Sequence, residues 1–178
     1  MRFSFSLAGI LALFCSSCAT RSPELKLASH VDLPRYMGAW HVIGRTDTFL
    51  ERGYVDEVDS YAPGTEPAGI DVTFTYRKGS LDAPLKTKHI KGEVVDTKSN
   101  ARWKVSLFPP FSSAYLIMAI SPDYQWTAIA HPSRKYGWIM SRKPSMPEAE
   151  YRHVLSLFQQ QGYDTSKFIK VPQSTSQR

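Results

Sequence analysis

Cysteine is nearly missing from this chain of 178 residues: there are two, Cys15 and Cys18, both within the first eighteen positions. If that stretch is removed no thiol remains, which excludes an internal disulfide, a Cys-x-x-Cys pair and a thiol nucleophile in the folded part. Also absent are a Gly-x-Ser-x-Gly elbow, a His-Glu-x-x-His helix, a P-loop and a Gly-x-Gly-x-x-Gly turn. The five histidines, His30, His41, His89, His131 and His153, share no metal-ligand spacing. No apolar run is long enough to cross a bilayer. No cluster of Lys and Arg is dense enough for a nucleic-acid arm, so the formal charge of +6 reads as a scattered solvated surface. The sequence therefore predicts no metal, no cofactor, no nucleic-acid partner and no enzymatic constellation.

What is present begins with an export segment. Met1-Arg2, the apolar run from Phe3 to Phe14 and the small residues Ser16-Ser17-Cys18 have the three-part form of a secretory signal. Cys18 behind small residues resembles a bacterial lipoprotein box, in which the thiol is diacylated and becomes the mature N-terminus; Cys15 stands where that pattern usually has Leu. A plain cleaved signal is the alternative. Ala19 is not the Asp that in such lipoproteins implies inner-membrane retention, so the resemblance implies an outer-membrane anchor with the domain in the periplasm. Residues 1–18 are read as signal peptide, 19–30 as a polar tether, 31–172 as the domain and 173–178 as a flexible tail.

Within the domain, short segments of period-two alternation follow one another, separated by turn residues. Strands are predicted over Trp40 to about Phe49, Tyr54 to Tyr61, Ile70 to Tyr76, Lys86 to Val95, Arg102 to Leu107, Tyr115 to Ile120, Tyr124 to Ala130 and Tyr136 to Arg142. No helix separates them, whereas a parallel crossover needs a dozen or more residues. The fold is therefore all-β, an eight-stranded antiparallel up-and-down barrel large enough for one small ligand. One helix follows and is expected to pack outside the barrel. Ser145-Met146-Pro147-Glu148 has capping-box spacing, Tyr151, Val154, Leu155 and Phe158 form its apolar stripe, and Gly162 stops it. Phe168 to Val171 suggests a short extra strand. Before the first strand, Pro34 is expected to stop any helix, Gly38 to permit a close backbone approach, and Trp40 to floor the barrel.

These features resemble the lipocalin family, in particular bacterial outer-membrane lipocalins of the apolipoprotein D-like branch. The matching pieces are Gly38-Ala39-Trp40, Phe49-Leu50-Glu51-Arg52-Gly53, Val105 to Phe111 (VSLFPPF), Trp138-Ile139-Met140-Ser141-Arg142 and Gly162 to Phe168 (GYDTSKF), in the family's order. The middle motif is present only loosely, as Ser121-Pro122-Asp123-Tyr124. The resemblance implies that Arg142 lies across Trp40, a cation–π contact worth ~0.5–2 kcal/mol. Gly38, Trp40 and Arg142 are thus the structural signature.

Parity read outward from these motifs places Val42, Val72, Phe74, Tyr76, Trp103, Val105, Tyr115, Ile117, Ala119, Trp126, Trp138 and Met140 on the inward face. Val72, Phe74, Tyr76, Val105, Tyr115, Ile117, Trp126, Trp138 and Met140 are the expected ligand-binding residues; the alternative is that the side chains fill the barrel and leave no pocket. The second strand admits two registers. One turns Glu57 and Asp59 inward, which is costly unless they meet a cation or a wet mouth, and the other turns Val58 inward. Arg77, Lys78, Lys86 and Lys88 fall near strand ends and read as solvated charge. An apolar, aromatic cavity suits a long acyl chain. The expectation is a non-enzymatic carrier of fatty acids or lysophospholipids, held to the membrane by its acyl anchor, as a monomer or weak homodimer. The alternatives are an enzyme acting on a lipid-like substrate, and a carrier of a sterol or a tetrapyrrole.

Overall fold

The computed structural model describes residues 23–108 and 110–174, so the readings made at Cys15, Cys18 and the rest of the export segment lie outside the described residues. A one-turn helix, α1 (Leu33–Tyr36), opens the domain, with Asp32 Oδ1 accepting from the Arg35 N–H at 3.2 Å. Pro34 therefore does not stop a helix. It sits in the first turn of one, where its missing N–H forfeits no bond.

Eight strands follow: β1 (Gly38–Thr46), β2 (Tyr54–Pro63), β3 (Gly69–Lys78), β4 (Lys86–Val94), β5 (Arg102–Phe108), β6 (Phe111–Ile120), β7 (Trp126–Ala130) and β8 (Gly137–Ser141). Each pairs antiparallel with its neighbours in the chain, and β1 pairs with both β8 and β2, which closes the barrel. Closure removes the exposed edges that an open sheet would present. After β8 come α2 (Glu148–Gln160), a 3₁₀ turn (Thr165–Lys167) and β9 (Phe168–Lys170), which pairs with β1 outside the closed sheet.

The helix packs on the outer face as its apolar stripe implies. Tyr151, Val154 and Phe158 are buried against Ile43, Leu116, Ala128 and Ile139. Gly44 makes the approach possible, because a Cβ there would lie 2.6 Å from the Tyr151 hydroxyl. The capping box is not formed: α2 starts after Pro147 with no side-chain cap. Its C-terminus closes with the Tyr163 N–H on Phe158 O and the Gly162 N–H on Gln159 O, a Schellman pair with Phe158 and Tyr163 in edge contact at 4.9 Å.

Two termini are more ordered than their polar composition suggests. The tether expected over residues 19–30 is packed from Pro23 onward: Leu25 is buried, the Ala28 N–H bonds to Ile117 O at 3.0 Å, and Glu24 pairs with Arg102. Arg134, in the β7–β8 connection, donates to Pro23 O. The tail expected from residue 173 is anchored through Gln173, which donates to Val42 O and Glu57 O, and Ser174, whose N–H and hydroxyl meet Asp56 Oδ1.

Candidate functional site

The barrel interior has two zones. At the closed end, Trp40, Tyr36, Trp103, Ile117 and Ile129 form a packed floor. Above it lies a cavity of about 620 Å³, within the usual ~300–1,000 Å³ of ligand pockets. Its apolar wall comes from Val42, Val72, Phe74, Ile90, Val105, Tyr115, Trp138 and Met140, with Leu50 near the mouth. A second concavity lies outside the barrel beside the β2–β3 turn; of its charged residues, Asp71 and Lys91 pair with each other at 2.6 Å.

Of the nine residues expected to bind ligand, the structure places Val72, Phe74, Val105, Tyr115, Trp138 and Met140 on this cavity, together with Val42 from the inward set. Three are elsewhere. Ile117 faces inward but is sealed in the floor, as is Trp103. Tyr76 is covered by Tyr54, whose ring stacks on it at 3.9 Å. Trp126 is outside the barrel altogether, under α2 and edge-on to His153 at 5.9 Å. Strand β7 is buried on both faces, so a large apolar residue there carries no information about parity. Ala119 is also turned outward, paired with Ala128, because the β6–β7 register shifts between Ile117 and Ala119.

Two further bulges shape the polar part of the cavity. The β1–β8 register shifts between Val42 and Gly44, so parity flips and Arg45 turns inward, fully buried. On β2, Asp56 and Glu57 occupy the space between the Val55↔Arg77 and Val58↔Thr75 pairs. Asp56 has φ +54°, a left-handed conformation that Asp tolerates better than most residues. Its N–H is held by Pro172 O at 2.7 Å, and its carboxylate by Arg77 at 3.0 Å and by Ser174. Glu57 keeps the parity of Asp59 and Tyr61, and all three line the cavity. The register with Val58 inward is thereby excluded.

Arg45 is the cation that meets Glu57, and Asp59 is left to the Tyr61 hydroxyl. Arg45 Nε donates to Glu57 Oε1 at 2.9 Å and lies 3.8 Å from Glu51 Oε2, while Glu51 Oε1 accepts from Trp138 Nε1 at 3.3 Å. Burial is the main reason that these carboxyls hold protons tightly. Burial, reinforced by the neighbouring Glu51 and opposed by Arg45, pushes Glu57 up to about 8. Burial pushes Asp59 up to about 7 against the opposing Tyr61 hydroxyl. Glu51 is raised by burial too, with Arg45 opposing. Sequence alternation missed Arg45 because an unbroken strand with Val42 inward turns residue 45 outward. The signal available was chemical: two acids on an apolar strand call for a cation on the neighbouring one.

Below the acids runs a chain of phenols. Tyr61 Oη donates to Asp59 Oδ2 at 3.1 Å and lies 2.7 Å from Tyr115 Oη, which lies 2.9 Å from Tyr36 Oη. Beneath the floor, the Arg142 guanidinium sits 3.8 Å from the centre of the Trp40 ring system. It also donates to Ala39 O, Arg35 O, Tyr36 O and Tyr124 O, which ties α1 and the β6–β7 turn to the end of β8. Gly38, with φ +91°, passes within contact distance of this side chain. Trp40 Nε1 finds its acceptor in Tyr36 O at 2.8 Å. The closed end is therefore plugged, and access to the cavity is from the other end.

A closed eight-stranded barrel with a plugged floor, an open cavity and a helix on its flank defines a lipocalin, and the family described as Lipocalin-like domain matches residues 31–173. The chain belongs to that family. It is 30% identical to the outer membrane lipoprotein Blc of Escherichia coli (strain K12) over 171 residues, 95% of this chain and 94% of the relative. It is 32% identical to temperature-induced lipocalin-1 of Arabidopsis thaliana over 166 residues, 87% and 86% of the two chains. Among solved structures, insecticyanin of Manduca sexta superposes with a TM-score of 0.67 at 19% identity, covering 85% of this chain and 86% of that one. Lipocalin fold and Blc homology together support the binding of hydrophobic ligands.

Proposed function

We propose that this protein is a non-enzymatic carrier of single-chain lipids, fatty acids or lysophospholipids, tethered to the outer membrane through an acylated Cys18. The observation that carries the reading is the cavity of about 620 Å³, apolar along most of its wall and closed at one end. Burial of a tail against Val72, Phe74, Val105 and Trp138 supplies affinity at roughly 25 cal/mol per Å² of apolar surface. An anionic head then remains at the mouth, where the Lys88 ammonium lies 5.4 Å and 5.1 Å from the centres of the Tyr54 and Tyr76 rings.

The mouth also supports a membrane setting. Phe49 (75% exposed), Leu50, Leu81, Leu85 and Phe111 (76% exposed) stand in or beside the β1–β2, β3–β4 and β5–β6 connections, which share one end of the barrel. Such a cluster fits contact with lipid better than with water. The Blc relatives carry the name outer membrane lipoprotein, and no helix among the described residues is long and apolar enough to cross a membrane.

Native mass spectrometry of the full-length chain offered a mixed lipid extract tests the reading. Intact fatty acid or lysophospholipid retained without product is the expected result. Released hydrolysis products, or retention of a sterol or tetrapyrrole alone, would overturn it.

A further inference from the structure

We propose that the deep end of the cavity is a head-group site for a protonated amine, so that the barrel takes single-chain amine amphiphiles head-first. This rests on the reading of the cavity as a lipid site and adds a ligand class that enters in the opposite sense to a fatty acid.

The first observation is an unfilled acceptor. Glu57 is fully buried and lines the cavity; its Oε1 is engaged by Arg45, while its Oε2 has no hydrogen-bond partner among the described residues. A buried carboxylate oxygen left in this state is strongly disfavoured unless something supplies a donor. The second is the charge count. Glu51, Glu57 and Asp59 face the same space, and Arg45 is the buried cation among them. Lys88 also borders the cavity, but its ammonium sits over rings at the mouth. Asp59 lies deeper than Glu57 by two positions, directly opposite Trp40, and makes no ion pair among the described residues; its partner is the Tyr61 hydroxyl.

The chemistry of the missing donor follows. The acids do not converge closely enough for a metal: no group of three or more His, Cys, Asp or Glu among the described residues suits one. A carboxylate or phosphate head at this depth would add like charge to a surplus of acids. An –NH₃⁺ brings one positive charge and three donors to acceptors on alternate positions of one strand. In a site walled from water such a pair is worth far more than at a surface. The aliphatic tail then runs back along Phe74, Val105 and Trp138 to the mouth.

Burial favours protons at this place. Burial holds Glu57 at about 8 and Asp59 at about 7, with Arg45, Glu51, Lys88, His89 and the phenols of Tyr54, Tyr61, Tyr115 and Tyr136 around the same space. An arriving ammonium takes over the role of a proton, so uptake near neutral pH releases about one proton per amine bound.

The test titrates the full-length chain with dodecylamine, dodecanol and laurate at pH 7.5 by calorimetry, in two buffers of different ionisation enthalpy. Dodecylamine is expected to bind at least tenfold more tightly than dodecanol and to release a proton, which dodecanol does not. In Glu57→Gln and in Asp59→Asn that preference falls to within twofold, and proton release falls with it. Thermal melts report whether each variant folds. If Glu57→Gln does not, Asp59→Asn decides alone, since Asp59 makes no bond to Arg45. An amine preference below twofold in the parent chain, or one that survives in the folded variants, overturns the proposal while laurate or dodecanol binding leaves the lipid-carrier reading standing. If none of the three ligands binds, both readings fall together.

Discussion

Arg45 Nε and Glu57 Oε1 meet at 2.9 Å inside the barrel, Glu57 by the plain alternation it shares with Asp59 and Tyr61, Arg45 only because a bulge in β1 turns it there. The pair does not neutralise the site, and Glu57 and Asp59 keep carboxyls raised to about 8 and about 7. An acid whose folded value lies above its unfolded value gives stability that is complete below the ordinary carboxylate range and is lost as pH rises through the folded value. The apo protein should therefore melt at a higher temperature at pH 5 than at pH 8, by several degrees at about 2–4 °C per kcal/mol for a chain of this size. Glu57→Gln should flatten that slope in melts followed by circular dichroism. An unchanged slope would show that Glu57 titrates normally.

Arg142 spans the closed end by stacking on Trp40 and bonding to four carbonyls. Arg142→Ala should lower stability by about 2–4 kcal/mol in urea unfolding, the sum of a cation–π contact and lost charged hydrogen bonds. Arg142→Lys should recover only part, since an ammonium cannot lie flat on the indole while reaching all four acceptors. Affinity for a fatty-acid probe should stay the same in any variant that folds, because Arg142 is beneath the floor.

Two tryptophans separate packing from binding. Trp138 faces the cavity, and Trp138→Ala should weaken fatty-acid binding about tenfold, the weight of a central aromatic contact. Trp126 lies under α2, and Trp126→Ala should destabilise the fold by about 3–5 kcal/mol while leaving affinity within twofold. Displacement of a fluorescent fatty acid and urea titration read the two effects separately. The reverse pattern would place the cavity on the wrong face of the sheet.

The exposed rings at the mouth make a prediction about rate rather than affinity. Phe49→Ser combined with Phe111→Ser should slow lipid transfer from vesicles several-fold without changing the affinity for lipid offered in solution. Stopped-flow transfer between labelled vesicles and the protein measures this, and equal rates would remove the mouth from the transfer step.

The barrel was legible because most strands obey one rule. Ile70 to Tyr76 alternates cleanly, and the paired strand register follows it without a break. The site was less legible because its decisive residues lie where that rule fails. Bulges on β1, β2 and β6 shift parity locally, hiding Arg45 and displacing Ala119. Strand β7 is buried on both sides, so hydrophobicity could not tell Trp126 from Ile129. Glu57 and Asp59 were visible as a conflict between charge and burial. The three-dimensional path of β1 brings a cation to Glu57, while Asp59 is met only by the Tyr61 hydroxyl.

The hold of Arg134 on Pro23 O sets a reach. Arg134 belongs to the β7–β8 connection at the open end, whereas Val31, further along, bonds to Ser99 in the β4–β5 turn at the closed end. The chain thus comes onto the barrel beside its mouth. From Cys18 to Pro23 is five residues, at most about 18 Å even when fully extended. With an acyl group on Cys18, that leash is shorter than a bilayer is thick. Exchange with the host membrane then becomes an intramolecular event at high effective concentration, while lipid in any other membrane has to arrive by diffusion.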